Sequence, residues 1–125
     1  MVRTAAKIFG FVFIAIGLLG FVPGLTVDDH LLGIFHVNAL HNIVHLASGI
    51  VALMAGYASY KASKTYFQIF GIVYALVAVL GLMAGDADIL GVLANNMADV
   101  VLHIAIAASA LYLGFATHDD DAVIA

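Results

Sequence analysis

The chain has 125 residues, of which 65% are hydrophobic and only 10% are charged, and its mean hydropathy is +1.15. Soluble globular proteins carry about 25% charged residues, so this chain cannot cover an aqueous surface and needs a bilayer as its solvent. The absence of cysteine excludes disulfides and thiolate metal sites, and the net charge of −4 includes no basic stripe that would bind nucleic acid.

Four apolar stretches predict four membrane-spanning helices. Each approaches the roughly 20 residues that cross about 30 Å of hydrocarbon at about 1.5 Å per residue. In chain order they are Ala5–Val22, Ala39–Tyr60, Tyr66–Ala84 and Val100–Thr117.

The four basic residues favour one orientation in the membrane. Arg3 and Lys7 precede the first span, and Lys61 and Lys64 lie between the second and the third. Because these two regions are on the same side, the positive charge predicts that both termini are cytoplasmic, in the cell (plasma) membrane. A signal peptide is the alternative for the first span, but no small-residue cleavage site follows Pro23.

The second half of the chain repeats the first half. A shift of 61 residues lays FGFVFIAIGLLGFVPG, from Phe9, over FGIVYALVAVLGLMAG, from Phe70. A shift of 58 residues lays LLGIFHVNALHNIVHL, from Leu31, over ILGVLANNMADVVLHI, from Ile89. Chance is a poor explanation for two aligned blocks in the same order, so we interpret the chain as an internal duplication.

The duplication predicts an all-α membrane four-helix bundle, built as one domain from two parallel helical hairpins. The hairpins, residues 5–60 and 66–117, would be related by a pseudo-two-fold axis along the membrane normal, and an acidic tail follows at 118–125. Small residues let transmembrane backbones approach closely. We therefore expect the second and fourth helices to pack against each other through their small-residue faces, which contain Gly49, Ala52, Gly56, Ala107, Ala110 and Gly114.

The residues that can carry chemistry lie near the loop ends of the second and fourth spans. His41 and His45 are four residues apart, as are Asp99 and His103, so each pair shares one helix face. Such pairs on facing helices build metal sites in helical bundles. Imidazole and carboxylate suit zinc or another divalent transition metal, and zinc prefers four ligands. The sequence thus predicts a metal site made of His41, His45, Asp99 and His103.

A structural interpretation stands beside the metal site. Asn38 and Asn96 are predicted N-caps, and Asp99, with His41 by alignment, would then serve the helix starts. The two deeper histidines, His45 and His103, would hydrogen-bond each other or the hydroxyl of a neighbouring residue between helices. On this alternative the protein is a non-catalytic accessory subunit, in a homo-oligomer or a larger membrane complex.

Three other functions have weaker support in the sequence. Two facing histidines suit haem, but its propionates need basic partners, and every Lys and Arg lies on the other side of the membrane. A proton relay needs a continuous path, yet the cytoplasmic halves of the spans lack ionisable residues in their interiors. Enzymatic turnover needs a substrate pocket and an open ligand position, and the sequence shows neither of them, so we assign no catalytic residue.

The segments FHVNALHNIVHLASG and NNMADVVLHIAIA resemble the paired motif of a prokaryotic family of four-span membrane proteins, the domain-of-unknown-function 4383 family. The resemblance covers nearly the whole chain and rests on the core Asn-x-x-His/Asp-x-x-x-His. It implies a four-helix membrane protein and assigns no activity. An Asp is common in the family at the position of His41, which implies that His41 is an exchangeable ligand or cap.

Overall fold

The computed structural model describes residues 1–117, so the predicted acidic tail lies outside the described residues. The chain forms a bundle of four helices, and each is long and apolar enough to cross a membrane, with mean hydropathies between 1.5 and 2.2. The predicted all-helical bundle is confirmed. The helices are α1 Val2–Leu19, α2 Ala39–Ala58, α3 Tyr60–Ala84 and α4 Met97–Leu111, which continues as a π-helical turn at Tyr112–Ala116.

A single residue, Ser59, separates α2 from α3. Its backbone N–H donates to the Ala55 carbonyl at the end of α2, and its side chain accepts a hydrogen bond from the Ala62 N–H at the start of α3. This cap allows α3 to begin at Tyr60, ahead of the predicted start. Lys61 therefore lies in the first turn of a helix, where the sequence had predicted a loop.

The loops at the other end of the bundle, residues 20–38 and 85–96, form what we call the loop end. The first loop contains three two-residue antiparallel strands in the order β1-β2-β3, which the sequence did not predict: β1 Thr26–Val27, β2 His30–Leu31 and β3 Phe35–His36. The second loop is shorter and has an antiparallel bridge between Ile89 and Leu93. Both loops fold back over the starts of α2 and α4.

The helices pack chiefly as two hairpins, α1 on α2 and α3 on α4, and the hairpins meet mainly through α3. A Cβ atom added to Gly49 would lie 2.7 Å from the Gly10 carbonyl oxygen of α1. One added to Gly114 would lie 2.7 Å from the Gln68 backbone nitrogen of α3. The expectation that the small-residue faces of α2 and α4 pack against each other is therefore wrong, because each face packs within its own hairpin.

The interior and the exterior differ as a hydrocarbon solvent requires. Inside, Phe13 of α1 stacks on Tyr74 of α3 with ring centroids 5.5 Å apart. Outside, large apolar side chains such as Phe11, Leu76 and Met83 are more than half exposed, at 58%, 58% and 79%. An apolar surface of this extent is typical of contact with lipid. The fold is that of an integral membrane protein.

Candidate metal centre

Asparagine caps start both helices that carry the predicted ligands. The Asn38 side chain accepts a hydrogen bond from the His41 N–H, and the Asn96 side chain accepts one from the Asp99 N–H, each at 2.9 Å. These bonds satisfy backbone donors that the first helical turn leaves without a partner. They also place His41 and Asp99 at the same helical position in α2 and α4.

The same two asparagines hold the helix starts together. Asn38 Nδ2 donates to the Val92 carbonyl of the second loop, and Asn96 Nδ2 donates to the Ile34 carbonyl of the first loop, each at 2.9 Å. The two bonds cross between the hairpins in opposite directions. They therefore fix the spacing of α2 and α4 just above the histidines.

Three histidines meet beneath these caps. His41 and His45 of α2 and His103 of α4 each present a ring nitrogen, and the three nitrogens lie within 4.8 Å of one another. Each of these residues is 2% exposed. The ring centroids of His41 and His45 are 4.6 Å apart, and those of His41 and His103 are 5.6 Å apart. The structure thus brings together three of the four predicted metal ligands, which we call the histidine cluster.

The His41 ring is oriented by a hydrogen bond to the other hairpin. Its Nδ1 donates to the Ala94 carbonyl at 2.9 Å, and a ring nitrogen that donates to a carbonyl must carry the proton. In the neutral ring, Nε2 then holds the lone pair. Donation of the second ring nitrogen to a backbone carbonyl is the usual way in which a metal-binding histidine is oriented.

Buried polar atoms that lack partners concentrate in and around the histidine cluster. Both nitrogens of His45 and Nδ1 of His103 are buried without a hydrogen-bond partner in the described part of the chain. The two rings lie nearly perpendicular, with centroids 6.1 Å apart, so the predicted hydrogen bond between them is absent from the described structure. A buried polar atom without a hydrogen-bond partner lowers the stability of the fold by about 1–3 kcal/mol. A ligand that binds these nitrogens would remove that cost.

The two carboxylate oxygens of Asp99, the fourth predicted ligand, have different surroundings. Its Oδ2 accepts a hydrogen bond from the Asn96 backbone N–H at 3.1 Å, which completes a capping box at the start of α4. Its Oδ1 is buried and has no partner among the described residues. Asp99 is not part of the group of atoms within 4.8 Å, which comprises the three histidines. The structure therefore places it at the edge of the cluster.

Aromatic and hydroxyl groups surround the histidines from α1, α2 and α3. Phe13 lies 5.6 Å from the His45 ring, and Tyr74 lies 5.8 Å from the His103 ring, measured between centroids. The Tyr74 hydroxyl is 2.9 Å from the Ser48 hydroxyl, and both residues are buried. Sequence reasoning missed these residues. Two signals were available: Ser48 lies one turn beyond His45, and Tyr74 falls on Phe13 when the sequence is shifted by 61 residues.

Two cavities reach the histidine cluster. One of about 260 Å³ lies between α2 and α3 and is lined by all three histidines with Ser48 and Tyr74. The other, of about 220 Å³, lies beneath the first loop and is lined by His41, His45 and Asp99 among apolar residues. The cluster thus has space on two sides, as a site that receives an ion or a ligand requires.

The basic residues lie far from this cluster. Arg3 and Lys7 are in α1 and Lys61 and Lys64 are in α3, close to the helix starts opposite the loop end. Arg3, for example, donates to the carbonyls of Gly56 and Tyr57 at the end of α2. Haem propionates placed at the histidine cluster would therefore find no basic partner, which keeps haem below a bare metal ion as a candidate.

Comparison with known proteins identifies a family. No curated protein and no solved structure is significantly similar to this chain. One family model, described as Domain of unknown function (DUF4383), matches residues 3–116. That match covers all four helices and the histidine cluster, and the chain therefore belongs to the DUF4383 family.

Proposed function

We propose that this membrane protein binds one divalent transition metal ion, zinc foremost, through His41, His45 and His103. A single observation carries the proposal: three buried imidazole nitrogens lie within 4.8 Å of one another at the meeting point of two hairpins. Imidazole is a preferred ligand of zinc and of several other first-row divalent metals.

Metal binding requires only a small movement of the three histidine side chains. Two nitrogens that bind one tetrahedral zinc, each at about 2.0–2.1 Å, are about 3.4 Å apart. Three nitrogens that start within 4.8 Å of one another need to close by at most about 1.4 Å, which rotation of the side chains about χ1 and χ2 can supply. His45 moves most easily, because neither of its nitrogens has a hydrogen bond to lose among the described residues.

We propose that Asp99, the fourth ligand predicted from the sequence, assists the three histidines from beside the coordination shell. Its Oδ1 has no partner among the described residues, and Asp99 lines the same 220 Å³ cavity as His41 and His45. Its carboxylate would also offset part of the charge of a divalent ion in a medium where unpaired charge is costly.

Elemental analysis of detergent-purified protein tests the proposal. We expect about one zinc per chain in the wild type and none after His45→Ala combined with His103→Ala, because a single imidazole holds zinc weakly. His30→Ala is the matched control, since His30 lies in β2 and is not part of the cluster. Wild-type protein without stoichiometric metal, or a double variant that keeps it, would contradict the proposal.

We propose further that the two hairpins are copies of one unit. Equivalent residues make equivalent contacts: Gly10 faces Leu53 as Gly71 faces Leu111. In both loops a leucine and the following glycine have positive φ, near 55° and 72° at Leu32-Gly33 and near 52° and 73° at Leu90-Gly91. Such unusual backbone at aligned positions supports a duplication more strongly than shared hydrophobicity does.

We also propose that the termini are cytoplasmic and that the histidine cluster faces the outer side of the plasma membrane. All four basic residues are near the helix starts of α1 and α3, and they support this orientation through the positive-inside rule. The metal would then be within reach of the extracytoplasmic side.

A further inference from the structure

The larger cavity beside the histidine cluster has an apolar wall along most of its length. It occupies about 260 Å³ between α2 and α3. Aliphatic and aromatic side chains form this wall: Val44, Ala47 and Val51 on α2, and Phe70, Val73 and Val77 on α3. The polar groups of the lining are the three histidines, Ser48 and Tyr74. A ligand with an apolar body and one polar head group would match this separation of apolar and polar lining residues.

The cavity opens sideways between the two helices. Three of its lining residues, Val44, Val51 and Val73, are also among the exposed apolar residues of the bundle, at 37%, 42% and 44% exposure. They lie within the spans, so the surface to which they are exposed is the one that contacts hydrocarbon. A molecule dissolved in the bilayer can therefore enter without crossing water.

The polar end of the cavity offers a hydrogen-bond donor. Ser48 Oγ and Tyr74 Oη are 2.9 Å apart, and each hydroxyl has one proton. One of the two protons forms their mutual bond. Among the described residues no acceptor is found for the second proton. The pair can therefore donate one hydrogen bond to a bound oxygen atom.

We propose that this cavity binds a lipid-soluble molecule whose apolar chain lies between α2 and α3 and whose terminal oxygen reaches the metal. The inference rests on the proposed function, because the three histidines hold the ion that this oxygen would contact. Three imidazoles leave a further position on zinc, and zinc sites that bind exogenous ligands have three protein ligands or expand to five. The Ser48–Tyr74 pair donates to the same oxygen and so selects a hydrogen-bond acceptor as the head group.

Cobalt-substituted protein in detergent provides the test. Cobalt(II) replaces zinc at sites of this kind, and its visible absorption changes when a ligand joins its coordination shell. The probes are octanohydroxamate and acetohydroxamate, which share an oxygen head and differ in the apolar chain. We expect the octyl probe to bind at least about tenfold more tightly, which corresponds to burial of about two methylene groups.

Two valine variants of α3 show whether the cavity causes this preference. Val77→Phe replaces an aliphatic lining residue with a larger aromatic ring, which fills part of the cavity. We therefore expect the preference for the octyl probe to be lost. Val79→Phe is the matched control, because Val79 is 52% exposed and does not line the cavity. Bound cobalt is measured in each variant, and probe affinity is compared per bound cobalt. The detergent is the same throughout, so for each probe the partition into micelles cancels when the two variants are compared.

The outcomes separate the two proposals. Loss of the octyl preference in Val77→Phe, with the preference kept in Val79→Phe, supports the cavity as a binding site. Cobalt that binds stoichiometrically but responds equally to both probes, or equally in both variants, overturns the inference and leaves the metal site standing. Protein that takes up no cobalt overturns both.

Discussion

The two hairpins have the same framework and differ at the histidine cluster. Both start their second helix with an asparagine cap, and both carry a buried histidine deeper in that helix. At the third helical position one hairpin has His41 and the other has Asp99. Asp99 turns back to the N–H of its own cap, whereas His41 turns to the Ala94 carbonyl of the other hairpin. Asp99 therefore stabilises the start of its own helix, and His41 stabilises the contact between the hairpins.

This difference shows how two hairpins with a similar framework can enclose an asymmetric cluster. The capping bonds to the helix N–H groups and the glycine contacts act within each half, so both halves can have them. The space between the two hairpins is single, so the side chains that fill it from each hairpin need not be alike. Substitutions that treat the two hairpins alike, or reverse their roles, therefore test the interpretation.

The largest expected effect is a difference in zinc affinity between His41→Ala and Asp99→Asn. Loss of the His41 ligand should weaken binding beyond the about 10- to 100-fold that changes outside the coordination shell cause. Asp99→Asn should stay within that range, because the Asp99 oxygens are not part of the group within 4.8 Å. Competition with a chelator of known affinity measures both. Equal losses would place Asp99 among the direct ligands.

A smaller effect is expected at the aligned glycines that follow α1 and α3. Gly85 has φ 66° and ψ −117°, a conformation that L-residues rarely adopt, so Gly85→Ala should lower the free energy of unfolding by about 1–3 kcal/mol. Gly24→Ala should change it by less than about 0.5 kcal/mol, since a Cβ there meets nothing within 4 Å. Unfolding in mixed micelles, followed by circular dichroism, measures both values. Similar losses would show that the two loops are constrained alike.

The smallest expected difference is the one between the losses of stability in the two cap variants. Asn38→Ala and Asn96→Ala each remove a cap worth about 1 kcal/mol and one bond between the hairpins. We expect Asn38→Ala to cost more, because α4 keeps Asp99 at its positive end while α2 has no acidic residue in its first turn. The same unfolding measurement gives the free energy of unfolding of both variants. A larger loss in Asn96→Ala than in Asn38→Ala would show that the capping box depends on the asparagine.

Much of the fold could be predicted from local properties of the chain. Hydropathy over about 20 residues marks a span regardless of its neighbours, and an N-cap depends on bonds within one helical turn. The four spans and the caps at Asn38 and Asn96 follow from such properties. The start of α3 could not be placed as well, because Ser59 serves two helices at once and the lysines that follow it resemble a loop.

The sequence by itself determined a four-helix membrane bundle, its family, and the pairing of His41 with His45 and of Asp99 with His103 along two helix faces. Only the tertiary structure decided that the small-residue faces pack within hairpins, that α2 and α4 approach through their histidines, and that Asp99 turns back to its cap. Only the structure placed Ser48 against Tyr74 beside a cavity between α2 and α3. Helical periodicity shows which side chains share a face, but the neighbour of that face depends on how separate helices pack.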